Sequence, residues 1–217
     1  MTTPFEVVDE VRANDVDRMT LNTEAVVVRL VEVATDFDEV DTDDLLSAKS
    51  DMEASGGSFD VLGHLRDRGI DEFTVGAVTK AFESIDDGEK LLYPDALPYL
   101  DYLEGQGMTN FNYTYGSFNW QLSKLIASTL AQRNYLITDQ KHKGDDISSR
   151  RQEDGAYHFE LTSSGLIVAR AGVLVDDKAL SFNGLPDDWR GYWLCRPGEK
   201  VLASQSQQGA LPKMSSG

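Results

Sequence analysis

Cysteine occurs once in the 217 residues, at Cys195, which excludes an internal disulfide framework and any zinc site built from several thiolates. A reducing compartment is the simplest setting for such a chain. Histidine is nearly as scarce, and His64, His142 and His158 share no metal-ligand spacing, so each reads as a solvated or hydrogen-bonded side chain. No apolar stretch approaches the length of a membrane span, and the opening MTTPFEVVDEV is acidic where a signal peptide is basic and then apolar. A soluble cytoplasmic protein with no membrane partner is expected. Cations are also in short supply: 37 Asp and Glu face 20 Lys and Arg, and residues 31 to 90 alone hold seventeen acids against five bases. Neutralising a phosphate backbone needs clustered cations, so nucleic acid is not an expected partner.

What is present can build a core. At 41% hydrophobic residues the chain suits one large domain, or a core domain with a smaller insert. The run EAVVVRLVEVA after Thr23 is apolar on most faces and predicts a buried helix. Thr42 and Asp43 read as N-caps for DLLSAKSDMEA. SFDVLGHLRDRG places Phe59, Leu62 and Leu65 on one helical face and stops at Gly69, and DEFTVGAVTKAFESI supplies another helix. Residues 24 to 90 therefore read as an acidic helical bundle, with no glycine at the sixth position of DFDEVDTDD to make it a calcium loop. Pro94 and Gly105 bracket a further helix.

The remainder alternates. MTNFNYTYG reads as a strand, SFNWQLSKLIASTLAQ as a helix with Leu122, Leu125, Ile126 and Leu130 on one face, and NYLIT as a second strand. YHFELTSSGLIVARAGVLVDD reads as a hairpin, RGYWLC as a short strand, and the polar tail ASQSQQGALPKMSSG as a fraying end. Short apolar strands separated by helices predict an α/β domain with a mostly parallel sheet. In such sheets ligands bind at the carboxyl ends of strands.

There the run Val173-Leu174-Val175 stops on two adjacent carboxylates, Asp176 and Asp177. Like charges side by side cost free energy unless a cation or a shared proton compensates them. The other strand ends carry matching chemistry. Thr114, beside Gly116, offers a small hydroxyl to an anion; Lys141 and Lys143 follow the NYLIT strand; Asp15 and Asp17 stand two apart in DVDRM. Oxygen ligands beside an expected phosphate suit Mg²⁺. Taken one at a time, Asp15 and Asp17 would be a solvated acidic turn, Asp176 and Asp177 a helix N-cap pair, and Thr114 a plain strand-end threonine. As an ordered set they are the equipment of phosphoryl transfer through an aspartyl-phosphate.

With DVDRM at 15 to 19, YTYG at 113 to 116, a lysine in KHKG and LVDDK at 174 to 178, the sequence resembles the haloacid dehalogenase superfamily of phosphatases and phosphotransferases. The resemblance spans nearly the whole chain. It implies a Rossmann-like α/β core, residues 1–23 and 91–217, with residues 24–90 as a helical cap inserted after the first motif. By that resemblance Asp15 attacks the phosphoryl group and Asp17 serves as acid and then base. Thr114 binds a phosphoryl oxygen and Lys143 neutralises charge, in preference to Lys124 and Lys141. Asp15, Asp17, Asp176 and Asp177 form the Mg²⁺ set. The implied activity is hydrolysis of a small phosphorylated metabolite. The alternatives are a phosphomutase, or a binding or interaction module that kept the fold and lost turnover. Two features depart from the pattern: Met19 stands where the first motif usually ends in Thr or Val, and DEVRAND before Asp15 would bury Glu10, Arg12 and Asn14 or break the strand, so that either FEVV further back is the first strand or the motif has degenerated.

Overall fold

The computed structural model describes residues 5–54, 59–162 and 165–196, so the polar tail lies outside the described residues. Six strands form one sheet: β1 (Phe5–Asp15), β2 (Asn110–Tyr115), β3 (Tyr135–Thr138), β4 (Tyr157–Leu161), β5 (Gly165–Asp176) and β6 (Trp189–Trp193). The order is β3-β2-β1-β5-β4, and β6 pairs with the second half of β5 beyond β4. All pairs are parallel except the β4–β5 hairpin. The architecture is the α/β, mostly parallel sheet that the strand and helix pattern predicts.

β1 corrects the expectation of a broken first strand. It runs unbroken through DEVRAND, paired to β5 along nearly its whole length and to β2 at its end. Period-two alternation separates its two faces. Val11, Ala13 and Asp15 point to one buried face, while Glu10, Arg12 and Asn14 on the other find partners, Asn14 through its Oδ1 only, its Nδ2 having none among the described residues. Arg12 Nη1 donates to the Tyr99 hydroxyl at 3.2 Å, and that hydroxyl donates to Asn14 Oδ1 at 3.1 Å. Glu10 is exposed and pairs with Arg190. A polar strand can be central when its partners come from elements distant in sequence.

Between β1 and β2 the chain forms α1 (Thr23–Ala34), α2 (Thr42–Ala54), α3 (Val61–Asp67), α4 (Glu72–Glu83) and α5 (Ala96–Gly105). The starts of α1 to α4 are side-chain capped, and that of α5 is not. Asn22 Oδ1 accepts from the amides of Glu24 and Ala25, and Asp71 Oδ1 from those of Phe73 and Thr74. The cap of α2 is Asp41, accepting from Asp43 and Asp44, not Thr42 or Asp43 as expected. α1 buries only Val26, Leu30 and Ala34 and leaves Val28 exposed, so its apolar run is one-sided. Phe59 precedes α3 and packs on the core without belonging to the helical face.

α6 (Phe118–Ala127) follows β2, and α7 (Lys143–Ser149) follows β3. The buried face of α6 is Trp120, Gln121, Ser123, Lys124, Leu125 and Ala127. Leu122, Leu125 and Leu130 of the expected stripe pack on the core, Leu130 from a separate 3-10 turn, while Ile126 is partly exposed and polar Gln121, Ser123 and Lys124 share the buried face. Two cores result. Val26, Leu30, Val78 and Phe82 join Leu100, Trp120 and Leu125 on one side, while Ala13, Tyr113, Phe159, Leu174 and Trp189 join Ile147 of α7 on the other. Trp189 lies flat against Gly172, where a Cβ would approach its ring within 2.5 to 2.6 Å. Among the described residues no helix is long and apolar enough to cross a membrane.

Candidate functional site

Strand register builds the site. β1 and β5 pair through Asn14 opposite Val175, so the next residues, Asp15 and Asp176, emerge beside each other at the carboxyl end of the sheet. Both are buried, and Asp177 follows. Carboxylate oxygens of Asp15, Asp176 and Asp177 lie within 4.8 Å of one another. Asp176 Oδ1 accepts from the Lys178 amide at 2.8 Å, which turns the chain away from the sheet.

Lys143 enters from the first residue of α7. Its ammonium bonds Asp15 Oδ1, and Asp176 Oδ2 at 2.8 Å, and stands 5.3 Å over the Tyr113 ring. Two features of α7 hold it there. A side chain at Gly144 would overlap the Asn183 carbonyl, so only glycine lets the helix start this close to the chain after β5. Asp146 accepts from the Tyr113 hydroxyl and from Arg150, at 2.8 Å from Nε, which fastens the helix to β2.

Lys143 bonds two of the three acids, and Asp177 is left without its ammonium. Burial drives the Asp15 carboxyl well above the ordinary carboxylate value, Asp176 and Asp177 add to this, and Lys143 opposes it. Asp177 is pushed up to about 7 by burial first and by Asp176 second. Burial alone would lower Lys143, but Asp15 and Asp176 more than offset it and hold the ammonium above its ordinary value. Two buried oxygens, Asp15 Oδ2 and Asp177 Oδ1, have no hydrogen-bond partner. An oxygen-only set with unsatisfied lone pairs suits a hard cation.

The remaining expected residues divide. Asp17 is not one of the trio and is bonded instead by Lys124, whose ammonium meets its Oδ1 and lies 6.0 Å from the Trp120 ring. Burial pushes Asp17 up, but Lys124 and Lys178 outweigh it and hold the carboxyl below its ordinary value. Thr114 is fully buried and donates to Gln121 Oε1 at 2.8 Å, while Gln121 Nε2 donates to the Tyr115 carbonyl at 3.0 Å. That places the hydroxyl on the α6 side of the sheet, bonded to an amide and not to the acids. Lys141 is exposed. Of the three competing lysines, then, Lys143 serves Asp15 and Asp176, and Lys124 serves Asp17.

Lys124, Gln121, Tyr113 and Lys178 were not assigned roles from sequence. The first two had a signal: polar residues at helical spacing beside Trp120 and Leu125, where a simple amphipathic helix would be apolar. Lys178 faces Asp177, Asp15, Asp17 and Asp176, which raise its ammonium above the ordinary value against its burial.

No protein-family model matches the sequence, and no curated protein does. Solved structures do match. A haloacid dehalogenase-like hydrolase from Burkholderia xenovorans is 18% identical with a TM-score of 0.58, covering 85% of this chain and 83% of that one. A protein described as a HAD-hydrolase from Bacillus subtilis, bound to magnesium, is 11% identical with a TM-score of 0.51, covering 90% of this chain and 91% of that one. With the strand order and the acidic strand ends already placed, these likenesses establish the architecture: the chain has the Rossmann-like α/β fold of the haloacid dehalogenase superfamily.

Proposed function

We propose that the chain is a Mg²⁺-dependent phosphohydrolase of haloacid dehalogenase type, cytoplasmic, acting on a small phosphorylated metabolite. In this reading residues 1–23 and 91–217 are the catalytic core and the helical segment 24–90 is a cap that selects the substrate. One observation carries it: Asp15, Asp176 and Asp177 converge with two buried oxygens unsatisfied, a state that a hard cation relieves. Asp15, Asp176 and Asp177 would hold the ion. Bound magnesium supplies charge neutralisation between the carboxylates and an incoming phosphoryl group. The magnesium-bound Bacillus subtilis neighbour supports that choice of ion.

The chemistry of the chain's own groups then follows. An Asp15 oxygen attacks phosphorus, and the bond from phosphorus to the leaving oxygen breaks as Asp17, which must first part from Lys124 and take up a proton, delivers that proton to it. Water then attacks the phosphorus of the aspartyl-phosphate, Asp17 takes up its proton, and phosphate leaves with the Asp15 carboxylate restored. Lys143 neutralises charge on the transferring group, and Thr114 binds one of its oxygens once its hydroxyl leaves Gln121.

A second reading has its own observation. Asp17 is engaged by Lys124 and not free beside Asp15. A site that binds phosphate but turns over slowly, as a binding module or a phosphomutase using the same intermediate, fits that pairing.

Trp193 makes the test direct, because its indole Nε1 donates to the Asp177 carbonyl at 2.7 Å. Mg²⁺ titrated into the protein should change Trp193 emission, and Asp176→Asn should weaken the response. With an aryl phosphate, Mg²⁺-dependent hydrolysis should fall by roughly a thousandfold or more in Asp15→Asn. A Mg²⁺ response without turnover across a panel of phosphorylated metabolites favours the binding module; no response at all overturns both readings.

A further inference from the structure

The chain crosses between the sheet and helices α1 to α4 twice, outward through residues 18–22 and back through residues 91–95. The two crossings are paired. Leu21 bridges Leu92, the Asn22 amide donates to the Leu91 carbonyl at 2.8 Å, and the Tyr93 amide donates to the Thr20 carbonyl at 2.9 Å. The outward crossing begins at Arg18, whose φ of 62° is left-handed, and it follows directly on Asp15 and Asp17.

A third segment, from the far end of the described chain, grips both. After β6 the Leu194 amide donates to the Asp176 carbonyl at 2.9 Å, which sets the next residues over the crossings. Arg196 Nη2 then donates to the Met19 carbonyl on the outward crossing. Its Nη1 donates to both Asp95 oxygens at 2.8 Å on the return crossing, and its guanidinium stands 4.0 Å from the Tyr93 ring. The Arg196 side chain is only 16% exposed, whereas Asp95 is 67% exposed. A planar fork with five donors can reach a carbonyl and a carboxylate at once while stacking on a ring; an ammonium cannot.

We infer that Arg196 is a latch: engaged, it joins the two crossings to each other and to the Asp176 strand end, so that the loop carrying Asp17 and the helical segment move as one unit. Released, the crossings open independently of the sheet. Exposure of Asp95 makes its half of the grip the part that can open, while the bond to Met19 is sheltered. The latch belongs to the joint between sheet and helices and works whether or not the site turns over.

Amide hydrogen exchange on the full chain tests it. In Arg196→Ala the amides of Thr20, Leu21, Asn22 and Tyr93 should exchange roughly ten- to a hundredfold faster, as expected for loss of charge-assisted bonds holding a local opening unit. The amides of Asn112 and Gly116, which donate to β3 and its flank at 2.9 and 3.0 Å, should keep wild-type rates. Arg196→Lys and Asp95→Asn keep part of the grip and should give smaller accelerations at the same four amides; they also carry the test if Arg196→Ala does not fold. Wild-type rates at the crossings in Arg196→Ala, or in Asp95→Asn, overturn the latch. So does an equal acceleration at Asn112 and Gly116, which would mean general destabilisation.

Discussion

At the scale of single residues, Lys143 is where stability and chemistry meet. Its ammonium bonds the two buried carboxylates, Asp15 and Asp176, so removing it leaves like charges facing each other in a dry place. Breaking a buried ion pair by deleting one partner costs about 3–5 kcal/mol. Lys143→Met should lower the urea midpoint accordingly, with an unchanged m-value; a loss under about 1 kcal/mol, the scale of a surface pair, would show the cluster to be solvated. Lys141→Met, two residues away and exposed, should be neutral in the same titration. The acidic strand end was legible, since an apolar run ending on Asp176 and Asp177 calls for a cation or a shared proton, while Lys143 was picked out only through the family resemblance and the glycine after it. That Lys124 serves Asp17 was not legible, because the pairing joins residues 107 positions apart and depends on which face α6 buries. Nor was the αL backbone at Arg18 visible in a side chain that tolerates it poorly.

At the scale of elements, each helix that matters to the site depends on a local device. α1 begins at Asn22, the last residue of the outward crossing, and its side chain caps two amides at 3.1 and 3.2 Å. Asn22→Ala should cost about 1 kcal/mol, measured by thermal unfolding, with Asn22→Asp losing much less. α7 depends instead on Gly144, whose missing side chain lets Lys143 reach the acids. Gly144→Ala forces the helix away from Asn183 and should cost about 1–3 kcal/mol by overpacking, together with a weakened Mg²⁺ response at Trp193. Unchanged stability there would mean that the chain after β5 yields easily. The positions of α1, α3, α4 and α6 followed from periodicity, while those of α7, in a polar stretch, and of strand β1 did not. Its alternation is present in the letters, but Arg12 and Asn14 make it look unburiable until Tyr99 of α5 is seen to bond both. The α2 cap was misplaced by one residue because Asp41, Thr42 and Asp43 can all cap, and only backbone geometry chooses among them.

At the scale of the whole molecule, the sheet separates an acidic helical side from a face closed by aromatic residues, and the second carries a pH signature. Tyr157 and Tyr113 are fully buried on that face, each donating its hydroxyl to a carboxylate, Asp188 and Asp146 respectively. Burial, then the hydrogen bond to Asp188, pushes Tyr157 up to about 12; burial and Asp146 raise Tyr113 well above its ordinary value of 10. A phenol whose pKa is higher folded than unfolded adds stability that is complete below about pH 10, where both states hold the proton. As pH climbs from 10 toward 12 the unfolded chain loses the proton first, so it binds fewer protons than the folded one and stability falls. Tyr157→Phe removes one such group and leaves Tyr113. Its stability should be lower than wild type at pH 8, since Asp188 loses a donor, and the gap should narrow steadily between pH 10 and 12. Urea midpoints taken at half-unit steps through that window would check it. Parallel curves for the two proteins would mean that Tyr157 ionises in the folded state as readily as in the unfolded one, and that its bond to Asp188 does not tie β4 to the segment before β6.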